Sequence, residues 1–159
     1  MPSIDMYERP GFLLRRAHQI SAAIFEGSCA EVGLTQAQFG ALTLLNLEPG
    51  IDQTRLARAL AFDKVTVLRV LRGLQERGLI VREVSQNSRR QMAVHLTPAG
   101  VRLLKKAEQP VHEAYNQLMT PLSAKQREQF IDLLQQLTDG LSKQARAAFV
   151  PLVRPSSGG

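Results

Sequence analysis

The chain has 159 residues, 44% of them hydrophobic and 5% aromatic, with no tryptophan and a formal net charge of +6. That is enough for one domain with its own core, and a composition rich in Leu, Ala, Gln and Arg favours a mostly helical fold. One cysteine, Cys29, excludes an intramolecular disulfide; no apolar run approaches the about 18 residues of a membrane span, and the first residues lack the apolar core of a secretion signal, so a cytoplasmic location is expected.

Met1–Pro10 is mixed in character and reads as loosely ordered. A first helix is predicted from Gly11 to Val32, with Leu13, Ala17, Ile20 and Ile24 on one stripe. Leu14, Ser21 and Phe25 lie about 100° round, beside His18 and Cys29. Two apolar stripes call for two partners, the chain's own core and a second subunit. The second helix has a marked start: Thr35 as N-cap with Gln38 three residues on makes a capping box, and Leu34 with Phe39 a hydrophobic staple. It ends near Leu47, before Glu48-Pro49-Gly50. Asp52 caps a short third helix with Leu56, Ala57 and Leu60 inward.

Asp63–Gly78 follows after a tight link, making a helix-turn-helix. Val67, Val70, Leu71 and Leu74 form its core stripe. Lys64, Val65, Leu68, Arg69, Arg72 and Gln75 form the exposed arc. Cations mixed with small apolar groups suit the base edges of a DNA major groove. Asp63 is the expected N-cap, and Gly78 the left-handed residue that ends the helix. Leu79–Val84 and Met92–Thr97 read as strands joined by the polar turn Ser85–Gln91, a basic hairpin or wing. Thr97-Pro98 opens a long helix that Pro110 should kink or deprive of a backbone bond. Ser123 and Gln126 form a second capping box, and the last helix, carrying Phe130, Leu133, Leu134, Leu137 and Leu141, is expected to reach Phe149. Residues 150–159 read as a frayed tail.

Charge is concentrated. Gly50–Thr97 holds nine Lys/Arg against four Asp/Glu, or +5, and the rest of the chain holds eleven against ten. A third of the chain thus carries nearly all the excess, the footprint expected for a nucleic-acid partner.

The segments LTQAQFGALTLL, LARAL, DKVTVLRVLRGLQERGLIVRE and SRRQMAVHLTPAG together resemble the MarR family of bacterial transcription regulators. The resemblance covers nearly the whole chain. It implies a mostly α fold with a small β-hairpin: a winged helix-turn-helix lobe over residues 34–97 and a helical dimerisation region over 11–33 and 98–149. It also implies an obligate homodimer, double-stranded DNA as partner, and release from DNA by a small aromatic acid or phenol. Two positions depart from the family's pattern. Ser88 stands where an Asp usually braces the wing arginine, and Gly73 stands where an Arg is usual; close backbone packing is expected at Gly73.

Within this frame Arg69 and Arg72 are candidates for base-edge or phosphate contact, Lys64 and Thr66 for phosphate, and Val65 and Leu68 for thymine methyls. Arg89 and Arg90 on the wing suit the minor groove. Arg15, Arg16, His18, Phe39 and Thr43 are candidates for an effector site that would grip a carboxylate, hydrogen-bond a ring substituent and stack on the ring. Cys29 reads as an inert buried thiol. His18, His95 and His112 have no metal-ligand spacing, and no nucleophile elbow, phosphate loop or dinucleotide motif occurs, so no enzyme, cofactor or metal is expected. The expected function is a ligand-responsive repressor reading a pseudo-palindromic operator; the alternative is a sequence-tolerant architectural DNA-binding protein, and a footprint on the upstream region together with competition by random DNA separates the two.

Overall fold

A computed structural model describes residues 5–152. Its elements are α1 (Pro10–Ser28), α2 (Gln36–Leu47), β1 (Ile51–Asp52), α3 (Gln53–Ala59), α4 (Lys64–Glu76), β2 (Ile80–Val84), β3 (Met92–Leu96), α5 (Pro98–Met119) and α6 (Ala124–Gly140), with short 3-10 turns at Met6–Glu8 and Ser142–Gln144. The expected mostly helical fold with a small β element is thus observed. The first turn is better ordered than its mixed sequence implies, because the Asp5 carboxylate accepts the Tyr7 N–H at 3.0 Å; Met1–Ile4 lie outside the described residues.

Local chemistry sets the helix starts. Thr35 and Ser123 each accept an N–H three residues on while Gln38 and Gln126 reach back, giving both expected capping boxes. Asp52 accepts from the Arg55 N–H, Asp63 from the Thr66 N–H at 2.7 Å and Thr97 from the Gly100 N–H at 3.1 Å. Each side chain satisfies an amide that the helix itself leaves unpaired. The first helix ends at Ser28, four residues short of the expected Val32: Gly27 and Ser28 weaken its last turn, and Cys29 leaves helical geometry at φ −98°, ψ 17°. Gly78 takes φ +71° after α4, the left-handed position read from the sequence.

The hairpin strands pair antiparallel from Ile80↔Leu96 to Val84↔Met92. A third strand, unforeseen, completes an antiparallel sheet of order β1-β3-β2: Ile51 pairs with Val94, and the Gly50 N–H donates to Val94 O at 3.0 Å. The core sits in this lobe, with Leu42, Leu45, Leu56, Leu71, Leu74, Ile80 and Val94 all fully enclosed. α1 packs along α5, and Phe25, Cys29, Ala107 and Ala114 extend the core between them. The lobe meets α5 at one close approach. A methyl group on Gly100 would collide with the Leu79 carbonyl oxygen, which accepts the Thr97 N–H at 3.0 Å, so only glycine fits.

α5 runs unbroken through Pro110, which removes one backbone donor but does not end the helix. The last helix does stop early. α6 ends at Gly140, nine residues before the expected Phe149; glycine is a poor helix former, and Leu141 leaves helical geometry at φ −114°, ψ 16°. The chain then returns to the winged lobe. The Val150 N–H donates to Arg58 O at 2.9 Å and Leu152 packs against the core, so Val150–Leu152 are anchored rather than frayed. The rest of the expected tail, 153–159, lies outside the described residues.

Candidate nucleic-acid interface and the adjoining cleft

α4 buries Val67, Val70, Leu71 and Leu74, the stripe read from the sequence, and so turns Lys64, Val65, Leu68, Arg69 and Arg72 outward. Val65 is 74% exposed and Leu68 40%. Lys64, Arg69 and Arg72 form no ion pair with a described residue. A helix of a folded lobe that leaves two aliphatic side chains and three unpaired cations on one face presents a surface suited to phosphates and base edges.

The N-terminus of α4 is held by Asp63. The backbone N–H of Thr66, then its hydroxyl, keep the Asp63 carboxyl below the usual range, and the nearby Arg69 charge adds to this against a slight loss of solvation. Thr66 therefore differs from the expectation: it is half-buried and committed to Asp63, so its amide is not free for a phosphate. Gly73 also differs. A methyl group there would meet only the flexible tip of Gln38, at 3.4 Å, and no backbone packs against it.

The wing is fixed to this helix by Arg82, whose Nε donates to Gln75 at 2.8 Å and whose Nη1 donates to Gln53 at 3.3 Å. Arg89 and Arg90 are both exposed at the hairpin tip. Ser88 braces the turn rather than an arginine side chain: its hydroxyl accepts the Arg90 backbone N–H at 3.3 Å. At the base of the wing His95 Nε2 lies 3.2 Å from Glu83 Oε1.

Behind the recognition face lies a cleft of about 500 Å³ between α1, the first turn of α2 and α4. His18, Ala22 and Glu26 line one wall, Thr35 to Gln38 another, and Arg69 and Val70 the third. A hydrogen bond from Gln36 Nε2 to Ser21 Oγ, 2.8 Å, closes α2 onto α1 beside it. Of the five effector candidates only His18 lies here. Arg15 is exposed with its guanidinium 5.5 Å from the Phe12 ring, and Arg16 is exposed. Phe39 packs into the core with its ring 6.0 Å from that of Phe25, and the Thr43 hydroxyl donates back to Phe39 O at 2.8 Å. These two stand on the core side of α2, so neither faces the cleft. Sequence reasoning missed Ala22 and Glu26, although they continue the 18, 22, 26 spacing of one helix face. It also missed Arg77, whose guanidinium donates to Gly33 O at 2.8 Å and Val32 O at 2.9 Å from the end of α4. Cys29 is 1% exposed, and burial pushes its thiol pKa up, as an inert thiol requires.

Residues 32–91, the span of the helix-turn-helix and most of the wing, match the MarR family. A putative transcriptional regulatory protein for the hcr operon of Thauera aromatica is 34% identical over 128 residues, covering 80% of this chain and 77% of that protein. The chain belongs to the MarR family. Its fold is close to that of CouR, a transcriptional repressor solved bound to a 23-mer DNA duplex: TM-score 0.79, 30% identity, 87% of this chain and 98% of the other. It is equally close to BpsR of Bordetella bronchiseptica, whose DNA binding is regulated by 6-hydroxynicotinic acid: TM-score 0.80, 29% identity, 86% and 97% covered. This MarR-family chain is therefore a DNA-binding transcription regulator and not an enzyme. No helix among the described residues is long and apolar enough to cross a membrane.

Proposed function

We propose that the protein is a homodimeric repressor that reads a pseudo-palindromic operator through α4 and releases it when a small aromatic carboxylate or phenol enters the cleft behind that helix. The observation that carries the reading is the outward face of α4, with Val65, Leu68, Arg69 and Arg72 open beside a basic wing. Arg69 and Arg72 read base edges or phosphates, Lys64 a phosphate, and Arg89 and Arg90 the minor groove.

Dimerisation is supported by what α6 leaves uncovered. Its 17 residues include no buried side chain, yet Phe130, Ile131, Leu133 and Leu137 are apolar. Leu13, Leu14 and Ile20 on α1 are likewise 42–48% exposed. A second copy would bury these faces and hold two α4 helices about 34–36 Å apart, the spacing of successive major grooves.

The cleft chemistry supports an anionic, hydroxylated ring. Arg69 and the positive end of α2 favour a carboxylate, while His18 and Glu26 can hydrogen-bond a ring hydroxyl. Because Arg69 belongs to both the cleft wall and the DNA-facing surface, a bound carboxylate competes with DNA for one guanidinium. Filling a space between α1 and α4 also favours dimers whose helix spacing no longer fits the operator, a population shift.

The test is a titration of the purified protein against its upstream duplex and a random duplex, with and without 6-hydroxynicotinic acid and other aromatic acids. Arg69→Ala is expected to weaken the upstream duplex more than the random one, and Lys64→Ala both alike. Equal losses for Arg69→Ala, or full competition by random DNA, would leave only an architectural binder. Unchanged acid affinity in His18→Ala and Arg69→Ala would remove the cleft as the effector site.

A further inference from the structure

The chain beyond α6 lies across the helix-turn-helix. Its path is fixed by the hydrogen bond from the Val150 N–H to Arg58 O, 2.9 Å, and by Leu152 against the core. Ala148 borders a hollow of about 440 Å³ together with Thr54, Phe62, Lys64 and Leu68. Val150 borders another, of about 320 Å³, with Thr54, Arg58 and Gln91 at the start of the wing's return strand. The segment therefore crosses α3 between the first turns of α4 and the wing.

Two observations say what this crossing can meet. Residues 140–152 contain Lys143 and Arg146 and no acid, so the segment cannot mimic the polyanion that its neighbours bind. It also flanks the recognition face without covering it: Val65 remains 74% exposed, and Arg69 and Arg72 are open, while Leu68, which borders the same hollow as Ala148, is still 40% exposed. In a helix-turn-helix the first helix crosses the DNA backbone while the second enters the groove. A cationic strap over α3 is thus carried to the phosphates beside the groove that α4 enters.

We propose that residues 145–152 form a third DNA-contacting element, in which Arg146 meets a backbone phosphate outside the footprint of α4 and the wing. The proposal rests on α4 being the groove-entering helix, and the experiment separates the two. Full-length protein, Arg146→Ala, a chain ending at Gln144, and Arg69→Ala are titrated onto upstream and random duplexes over a salt series, with hydroxyl-radical footprints of each. Arg146 is exposed and forms no ion pair with a described residue, so its alanine variant should fold; circular dichroism verifies the truncated chain. Expected for Arg146→Ala is an equal loss on both duplexes and a salt slope smaller by about 0.9 per protomer, one phosphate contact. The truncated chain should lose at least as much and shorten the footprint at its outer edges. An unchanged slope in Arg146→Ala, with Arg69→Ala still impaired, overturns the strap and leaves the helix reading intact. Tighter binding by the truncated chain overturns it too, by making the strap an autoinhibitory cover. If Arg69→Ala also binds as the parent does, the helix reading falls with it.

Discussion

Replacing Arg77 by Met should loosen the end of the recognition helix while keeping an apolar stem of similar length. The guanidinium spans two carbonyls of the turn between α1 and α2, Gly33 O at 2.8 Å and Val32 O at 2.9 Å. Hydrogen bonds from charged donors contribute about 1.5–3 kcal/mol when shielded and about 0.5–1 kcal/mol in the open. The Val32 bond is partly buried and the Gly33 bond exposed, so the expected loss is about 2–3 kcal/mol. In a chain of this length that lowers the melting temperature by about 4–12 °C at fixed protein concentration. Calorimetry or chemical denaturation measures it. Arg77→Lys should recover less than half, because an ammonium cannot fork across two carbonyls. The second consequence is functional: with α4 untied from the α1–α2 turn, an aromatic acid should release DNA less effectively even where its own affinity is unchanged. A destabilisation below about 0.5 kcal/mol in Arg77→Met, or full recovery by lysine, would refute the argument that the two bonds are made and shielded.

Three shorter predictions follow from the same elements. Gly73→Ala should stabilise the fold by about 0.5–1 kcal/mol, since helix propensity improves and only the movable Gln38 tip is met; a loss of stability in denaturant would mean that this helix face is tighter than it looks. The Asp63 carboxyl is held below its ordinary value by the Thr66 N–H, so its stabilisation is complete above the unfolded value of about 3.9 and vanishes as pH falls through the folded one. Asp63→Asn keeps the cap but not the charge, so its stability gap from the parent should close as pH falls below the ordinary aspartate value of about 3.9, and a gap independent of pH would count against the Asp63 bond. Cys29, 1% exposed with its thiol pKa raised, should resist a thiol reagent at pH 7.5 in the folded protein and react fully in denaturant; rapid native labelling would show that α1 opens.

The recognition helix was legible because two strong local signals agreed. Its buried residues recur at 67, 70, 71 and 74, and its ends carry an Asp cap and a left-handed glycine. Capping boxes at Thr35 and Ser123 were legible for the same reason, since the partners lie three residues apart. What stayed hidden depends on residues far apart in the chain. β1 has two residues and exists only because Ile51 finds Val94. Arg77 looks like one more surface cation until its carbonyl partners, 44 and 45 positions away, are in place. Phe39 and Thr43 lie away from the cleft that His18 lines, because a helical period gives the angle between side chains, not which neighbour each angle faces. The end of α6 failed because its apolar spacing continues to Leu141 while the backbone has already turned at Gly140.

These long-range ties bear on how, under the proposed function, a space behind α4 would govern what lies in front of it. α4 is fastened to the turn after the first helix at its C-terminal end, where Arg77 grips two carbonyls, while mid-helix Arg69 lines the same cleft as His18 and Glu26 on α1. Its middle is pressed into the core by Val70, Leu71 and Leu74, which leaves little room for it to bend. On the proposed reading, a ligand entering the cleft would move α4 as a unit about its packed stripe. The wing must follow, because Arg82 bonds to Gln75 on that same helix. Reading helix and wing would therefore shift together against a fixed α1, and α1 is the element whose exposed Leu13, Leu14 and Ile20 a second copy would hold. In a dimer joined there, a small displacement at each cleft is repeated with opposite sense by two-fold symmetry, so the separation of the two reading helices changes by twice the local movement. Repression that depends on matching two grooves at once is sensitive to that separation in a way that a single contact is not.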